Sequence, residues 1–265
     1  MGKKISVSSF AKRKAAGEKL VMITAYDAPG AAACAKAGID MLLVGDSLAM
    51  TVLGYDNTLP ATMEEMIHHT KAVRRGAPES FIVFDMPFMS YQVSMEQALT
   101  NAGRAMKESG ADAVKLEGGA EFAPLVRRLV SAGIPVMPHI GLLPQHIQAV
   151  GGYKVTGRGD DAERLIADAR AFEEAGAFAL VLECISQEAA RKITEAVSIP
   201  TIGIGSGADC SGQIQVFHDV IGMFDNFTPK HSRRYAEAGK IITSALASYA
   251  QDVKAGVFPG PENSF

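Results

Sequence analysis

Eight short apolar runs, separated by helical patterns, constrain this chain more than any other feature. They fall at 20–26, 40–46, 80–86, 112–118, 134–140, 178–184, 200–205 and 213–219. LVMITAY and FALVLEC are typical: continuous in Val, Ile, Leu and Met rather than alternating. A strand buried on both faces reads this way, and parallel sheets bury both faces. Helices are expected at 28–37, 62–75, 94–109, 121–132, 161–175, 187–197 and 230–253. TMEE (62–65) and SMEQ (94–97) open two of them as capping boxes, and Gly38, Gly76, Gly110, Gly133 and Gly176 close five.

Repeated βα alternation with eight strands predicts an α/β fold, a (β/α)8 TIM barrel. One domain of that kind commonly takes about 250 residues, and this chain has 265. The expected organisation is a single domain over 1–265, with an N-terminal extension (1–19) and a C-terminal helix plus tail (230–265). A doubly wound open sheet is the rival, weakened because no GxGxxG follows the first strand. Two long connections, 47–61 and 141–160, follow the second and fifth strands on the side where a barrel builds its active site.

Composition removes other classes. A net charge of −3 argues against a polyanion binder, so no nucleic-acid partner is expected. No apolar run approaches the roughly 18 residues of a membrane span, so no membrane association is expected. The three cysteines, Cys34, Cys184 and Cys210, are widely spaced with no CxxC, which suits a reducing, cytoplasmic compartment. The N-terminal stretch is basic but lacks the apolar segment of a secretory signal.

The chemistry lies at the ends of the runs. Polar residues interrupt the apolar pattern at Asp46, Asp85, Lys115, Glu117, His139 and Glu183. A closed barrel gathers such strand ends around one axis. Asp46, Asp85 and Glu117 are acids with no cysteine near them in sequence. Oxygen donors of this kind suit a hard cation such as Mg2+. Without a cation the acids raise one another's pKa. Lys115 and Glu117 share a face at i and i+2; the lysine is a Schiff-base nucleophile, an anion anchor or a salt-bridge partner. His139 is a proton shuttle, an anion donor or a strand-end residue satisfied locally. Glu183 follows the apolar stretch ALVL, where desolvation raises a carboxyl toward the range a general base needs; its alternative is a structural ion pair. His68 and His69, adjacent on a helix, read as surface or interface residues. The glycines of GIGSG (203–207) mark either a phosphate cradle or close backbone packing.

Segments along nearly the whole chain resemble the ketopantoate hydroxymethyltransferase family of the phosphoenolpyruvate/isocitrate-lyase-like barrels. They include MITAYDAPGA (22–31), LLVGDSLAMTVLGYDNTLPATMEEMIHH (42–69), DMPFMSYQ (85–92), AVKLEGG (113–119), HIGLLPQ (139–145), GGYKVTGRG (151–159) and LVLECISQ (180–187). The resemblance implies metal ligation at Asp46, Asp85 and Glu117, oxo-acid contacts at Asp46, Ser47, Asp85 and Lys115, and a proton acceptor at Glu183. His139 is a possible helper. It also implies Mg2+, with 5,10-methylenetetrahydrofolate as co-substrate. The implied reaction is hydroxymethyl transfer to 3-methyl-2-oxobutanoate, giving 2-dehydropantoate for pantothenate biosynthesis through a Mg-stabilised enolate. A cytoplasmic homo-oligomer, a decamer, goes with it. The alternatives are a Mg-dependent 2-oxo-acid lyase or aldolase on the same barrel, or a non-catalytic ligand-binding barrel.

Overall fold

A computed structural model describes residues 6–152, 154–225 and 229–265. They form two compact units, one ending at Gln215 and one beginning at Val216. The first is a closed, all-parallel barrel of β1 (Leu20–Thr24), β2 (Met41–Val44), β3 (Phe81–Asp85), β4 (Ala113–Glu117), β5 (Val136–Gly141), β6 (Leu180–Glu183), β7 (Thr201–Ile204) and β8 (Gly212–Gln215). Each strand pairs with its sequence neighbour, and β8 closes onto β1. All eight expected strands are present, and they close into the expected (β/α)8 barrel.

Its helices are α1 (Val7–Ala15), α2 (Ala28–Lys36), α3 (Leu48–Thr51), α4 (Met63–Gly76), α5 (Met95–Ser109), α6 (Ala123–Ser131), α7 (Ile147–Val150), α8 (Asp161–Glu174) and α9 (Gln187–Ala196). Thr62 and Glu65 form the reciprocal capping box expected at α4. At α5 Ser94 accepts from the Gln97 N–H, and Gly110 closes the helix at φ +75°.

Four helices escape the sequence reading: α1, α3, α7 and a helix over Phe217–Ile221, so the eighth expected run, 213–219, is strand only as far as Gln215. Helix α1 lies inside the expected N-terminal extension and buries one residue, Phe10. That ring packs edge-on to Phe81, with centroids 5.0 Å apart, and lies 6.0 Å from Phe178. Phe81 begins β3 and Phe178 precedes β6, so Phe10 stops the N-terminal end of the barrel. One turn on, the Lys14 ammonium donates to the carbonyls of Thr194, Val197 and Ile199 at 2.8, 2.6 and 2.9 Å. It thereby satisfies acceptors where α9 ends.

The barrel interior follows strand parity. Leu20 and Met22, Met41 and Leu43, Phe81 and Val83, then Ala113, Met137, Val181, Ile202, Ile204 and Ile214 form one apolar cluster with Phe10. Alternate residues of a strand share a face. The next positions on that face are therefore Asp85 after Val83, Lys115 and Glu117 after Ala113, His139 after Met137 and Glu183 after Val181. The barrel is apolar up to its last layer and charged there.

The second unit contains α10 (Phe217–Ile221) and α11 (Ala238–Ala255). Helix α11 starts eight residues later than the expected 230. The segment before it is a turn and irregular backbone instead: the Ser232 N–H donates to the Pro229 carbonyl at 2.9 Å, the Tyr235 N–H donates to the Val220 carbonyl at 2.8 Å, and the Arg234 guanidinium reaches the Phe224 carbonyl at 2.5 Å. No residue of α11 is buried. Among the described residues no helix is long and apolar enough to cross a membrane.

Candidate active site at the barrel mouth

The parity that fills the core also delivers the chemistry. Asp85 stands opposite Lys115 across β3 and β4, Glu117 opposite His139 across β4 and β5, and Gly141 opposite Glu183 across β5 and β6. Asp46 follows β2, and its backbone N–H donates to Asp85 Oδ2 at 3.2 Å. Asp46, Asp85, Lys115, Glu117 and His139 are all buried. The structure thus brings together every strand-end residue singled out in the sequence.

Lys115 lies among the acids. Its Nζ is 2.7 Å from Asp85 Oδ1 and 3.4 Å from Glu117 Oε1. Desolvation opposes the ammonium, but Asp85, Glu117 and Asp46 outweigh it and hold it charged. The salt-bridge alternative is therefore realised in this geometry, and a neutral Schiff-base amine is disfavoured. Glu117 is also buried against its charge, yet Lys115, His139 and the Gln145 N–H bring its pKa down to about 2. Asp46 goes the other way. Burial, then Asp85 and Glu117, push it well above the usual carboxylate range. Three acids share one lysine, so the mouth carries excess negative charge.

Glu183 sits across the mouth with 14% of its side chain exposed. Burial raises its pKa to about 7 against the pull of His139. His139 stands between two carboxylates, with Nδ1 3.5 Å from Glu117 Oε1 and Nε2 3.4 Å from Glu183 Oε2. The turn that presents Glu183 is held from both sides. Gly141, at φ +101°, lets the Leu142 N–H reach the Glu183 carbonyl at 2.8 Å; a Cβ there would strike that oxygen. Beyond Glu183, Cys184 adopts φ +49°, and Ser206 Oγ accepts from the Ile185 N–H at 3.1 Å and donates to the Leu182 carbonyl at 2.8 Å.

Ser47 is half-buried, its Oγ 2.9 Å from the Tyr26 hydroxyl. His69 differs from its surface reading: its Nδ1 is 2.6 Å from the Tyr26 carbonyl, which only accepts, so Nδ1 holds the proton. At Gly203 a Cβ would come within 2.8 Å of Cys210 Sγ, which favours close packing as the reason for that glycine.

Sequence reasoning missed Gln145 and Tyr91. Gln145 is buried in the connection after β5. Its Nε2 donates to Asp46 Oδ2 at 3.0 Å and to the Met86 carbonyl at 2.9 Å, and its backbone N–H donates to Glu117 Oε2 at 3.0 Å. The Tyr91 hydroxyl donates to Gln145 Oε1 at 2.8 Å and accepts from the Glu117 N–H at 3.0 Å. Neither residue ends a strand, and the signal was only their place in HIGLLPQ and DMPFMSYQ.

Among the described residues no three His, Cys, Asp or Glu side chains are grouped as a ready-made metal cage. The donor set is nonetheless of the type a hard cation takes. Its atoms are carboxylate oxygens with charge to spare, and Mg2+ takes one or two carboxylates while keeping waters and substrate oxygens.

Similarity to known proteins covers the whole of this architecture. A chain from Carboxydothermus hydrogenoformans, named 3-methyl-2-oxobutanoate hydroxymethyltransferase, is 57% identical over 263 residues, 99% of this chain and 95% of the relative. One of the same name from Thermotoga maritima is 54% identical over 255 residues, covering 96% and 94%. Among solved structures, 2,3-dimethylmalate lyase of the PEP mutase/isocitrate lyase superfamily aligns with a TM-score of 0.61 at 18% identity, over 96% of this chain and 89% of that one. Phosphonopyruvate hydrolase, solved with oxalate and Mg++, aligns with a TM-score of 0.62 at 11% identity, over 97% and 92%. These two likenesses concern the fold. The family described as ketopantoate hydroxymethyltransferase matches residues 4–261, and the chain belongs to that family.

Proposed function

We propose that this enzyme transfers a hydroxymethyl group from 5,10-methylenetetrahydrofolate to 3-methyl-2-oxobutanoate, giving 2-dehydropantoate. The carrying observation is the juxtaposition, at one mouth, of an oxygen-rich acidic set with a carboxyl tuned to about 7, Glu183. The names of its relatives supply the acceptor.

Asp46, Asp85 and Glu117 would hold Mg2+. A bound Mg2+ supplies Lewis-acid stabilisation of the charge that develops on the ketone oxygen. Lys115 offsets the substrate carboxylate, and Ser47, braced by Tyr26, orients it. Glu183 removes the C3 proton. A base whose pKa lies near the working pH is efficient at this, because it is largely ionised and still basic. His139, 3.4 Å from Glu183 Oε2, steadies the ionised carboxylate. Both carbon–nitrogen bonds of the folate methylene break: water takes the place of one nitrogen, the C3 carbanion takes the place of the other, and tetrahydrofolate leaves with its two nitrogens protonated by the C3 proton and one proton of the water.

The deciding assay supplies both substrates with Mg2+ and follows 2-dehydropantoate. Product is expected only when oxo acid and folate are both present. Folate-independent cleavage of 2-oxo acids would instead establish the lyase alternative. A pH series gives a second check. Glu183 must be ionised to act, and its pKa is raised to about 7. Exchange of the C3 proton is therefore expected to climb about tenfold per pH unit below 7 and level off above it. An exchange rate flat from pH 5 to 8 would remove Glu183 from the role.

The proposal includes a cytoplasmic homo-oligomer, a decamer on the family's pattern. Free thiols at Cys34, Cys184 and Cys210 support the compartment, and the exposed apolar residues Ile241, Leu246 and Tyr249 of α11 support assembly.

A further inference from the structure

Gln145 grips two of the acids at once, and they come from different strands. Asp46 most needs such a partner, because the Lys115 ammonium makes its close ion pairs with Asp85 and Glu117. The donor that reaches Asp46 is a neutral amide. An ammonium in that place would neutralise the carboxylate and compete with a cation. An amide fixes its direction and leaves its charge.

The amide is itself fixed. Its two protons go to Asp46 Oδ2 and the Met86 carbonyl, and its oxygen accepts from the Tyr91 hydroxyl and, at 3.1 Å, from Gln92 Nε2. Both donors and both acceptor sites of the side chain are used. Turning the amide over would set its oxygen against the Met86 carbonyl, which cannot donate. The backbone N–H on Glu117 Oε2 completes the clamp.

We propose that Gln145 is a positioning residue that preassembles the Asp46 and Glu117 carboxylates for a divalent cation. The proposal rests on the reading of Asp46, Asp85 and Glu117 as the cation-holding set. Partners that orient metal ligands typically change affinity 10–100-fold when removed.

The test is Mn2+ titration of the full chain without substrate, free Mn2+ being read by electron paramagnetic resonance, so turnover plays no part. Gln145→Ala is expected to weaken Mn2+ binding by about 10–100-fold. In an Asp46→Asn background the same substitution is expected to lose most of that effect, because the group it orients is no longer an anion. A merely structural role for Gln145 would keep the full penalty in both backgrounds. Should Gln145→Ala fail to fold, Gln92→Leu removes one of the two bonds on the amide oxygen without touching either acid and is expected to weaken Mn2+ binding in the same direction. Wild-type affinity in the folded variant tested, or an undiminished penalty in the Asp46→Asn background, would overturn the proposal alone. A wild-type chain that binds no Mn2+ would overturn the cation reading and the proposal with it.

Discussion

Glu183→Gln keeps Mg2+ and 3-methyl-2-oxobutanoate binding and loses C3 proton exchange by about 10²–10⁴-fold, the range general-base catalysis contributes. The amide has the shape of the carboxyl but cannot take the proton. Deuterium incorporation at C3, measured without folate, isolates this step from carbon–carbon bond formation. Unchanged exchange would end the assignment. The same substitution carries a stability signature. Folding raises the Glu183 pKa to about 7. The protonated acid is therefore the form the fold prefers, and the stability it brings is present below the unfolded value and lost as pH rises through 7. In metal-free buffer Glu183→Gln is expected to gain up to roughly 3 kcal/mol over wild type above pH 8. That gain disappears below pH 4. Losing catalysis while gaining alkaline stability separates a base held in an uncomfortable place from a residue that holds the fold.

Lys115→Met is expected to do the opposite. Its ammonium is the buried cation paired with Asp85 and Glu117. Breaking a buried pair by removing one partner destabilises by about 3–5 kcal/mol, because the other charge is left uncompensated. In EDTA at pH 8 the variant therefore unfolds at markedly lower denaturant than wild type. Mg2+ binding to the crowded acids stabilises the folded state by mass action, so adding it is expected to raise the variant more than wild type. Equal denaturation midpoints in EDTA would show that Lys115 does not balance the acids.

Much of this site is written in strand parity. Val83 and Asp85 differ by two positions, as do Met137 and His139, and Val181 and Glu183. An apolar interior residue followed two places later by a charged one therefore marks the barrel's last layer. That pattern depends only on the pleat, so it is visible in a linear string. Gln145 follows no such rule. Its position comes from the path of the connection after β5, and loop paths have no period. Phe10 is obscure for another reason. Val7 and Phe10 are the only large apolar side chains among the lysines of α1, and one pair three residues apart gives little helical signature. Helix α11 reads too long in the sequence because 230–237 is charged and free of glycine, yet the Tyr235 N–H is committed to Val220. The unequal pKa shifts of Asp46 and Glu117 are also out of reach, since they depend on which acid Lys115 and Gln145 happen to face.

The ladder between β1 and β8 joins the barrel's first strand in chain order to its eighth. The Lys14 ammonium reaches carbonyls at 194, 197 and 199, and Lys19 reaches those of Ala208 and Cys210. No nascent chain shorter than these segments can shut the cylinder. Until they emerge, the leading strand presents an open edge of unpaired amides and carbonyls to its surroundings. Contacts so distant in sequence form slowly. The vulnerable period of this barrel is therefore the time before β8 arrives.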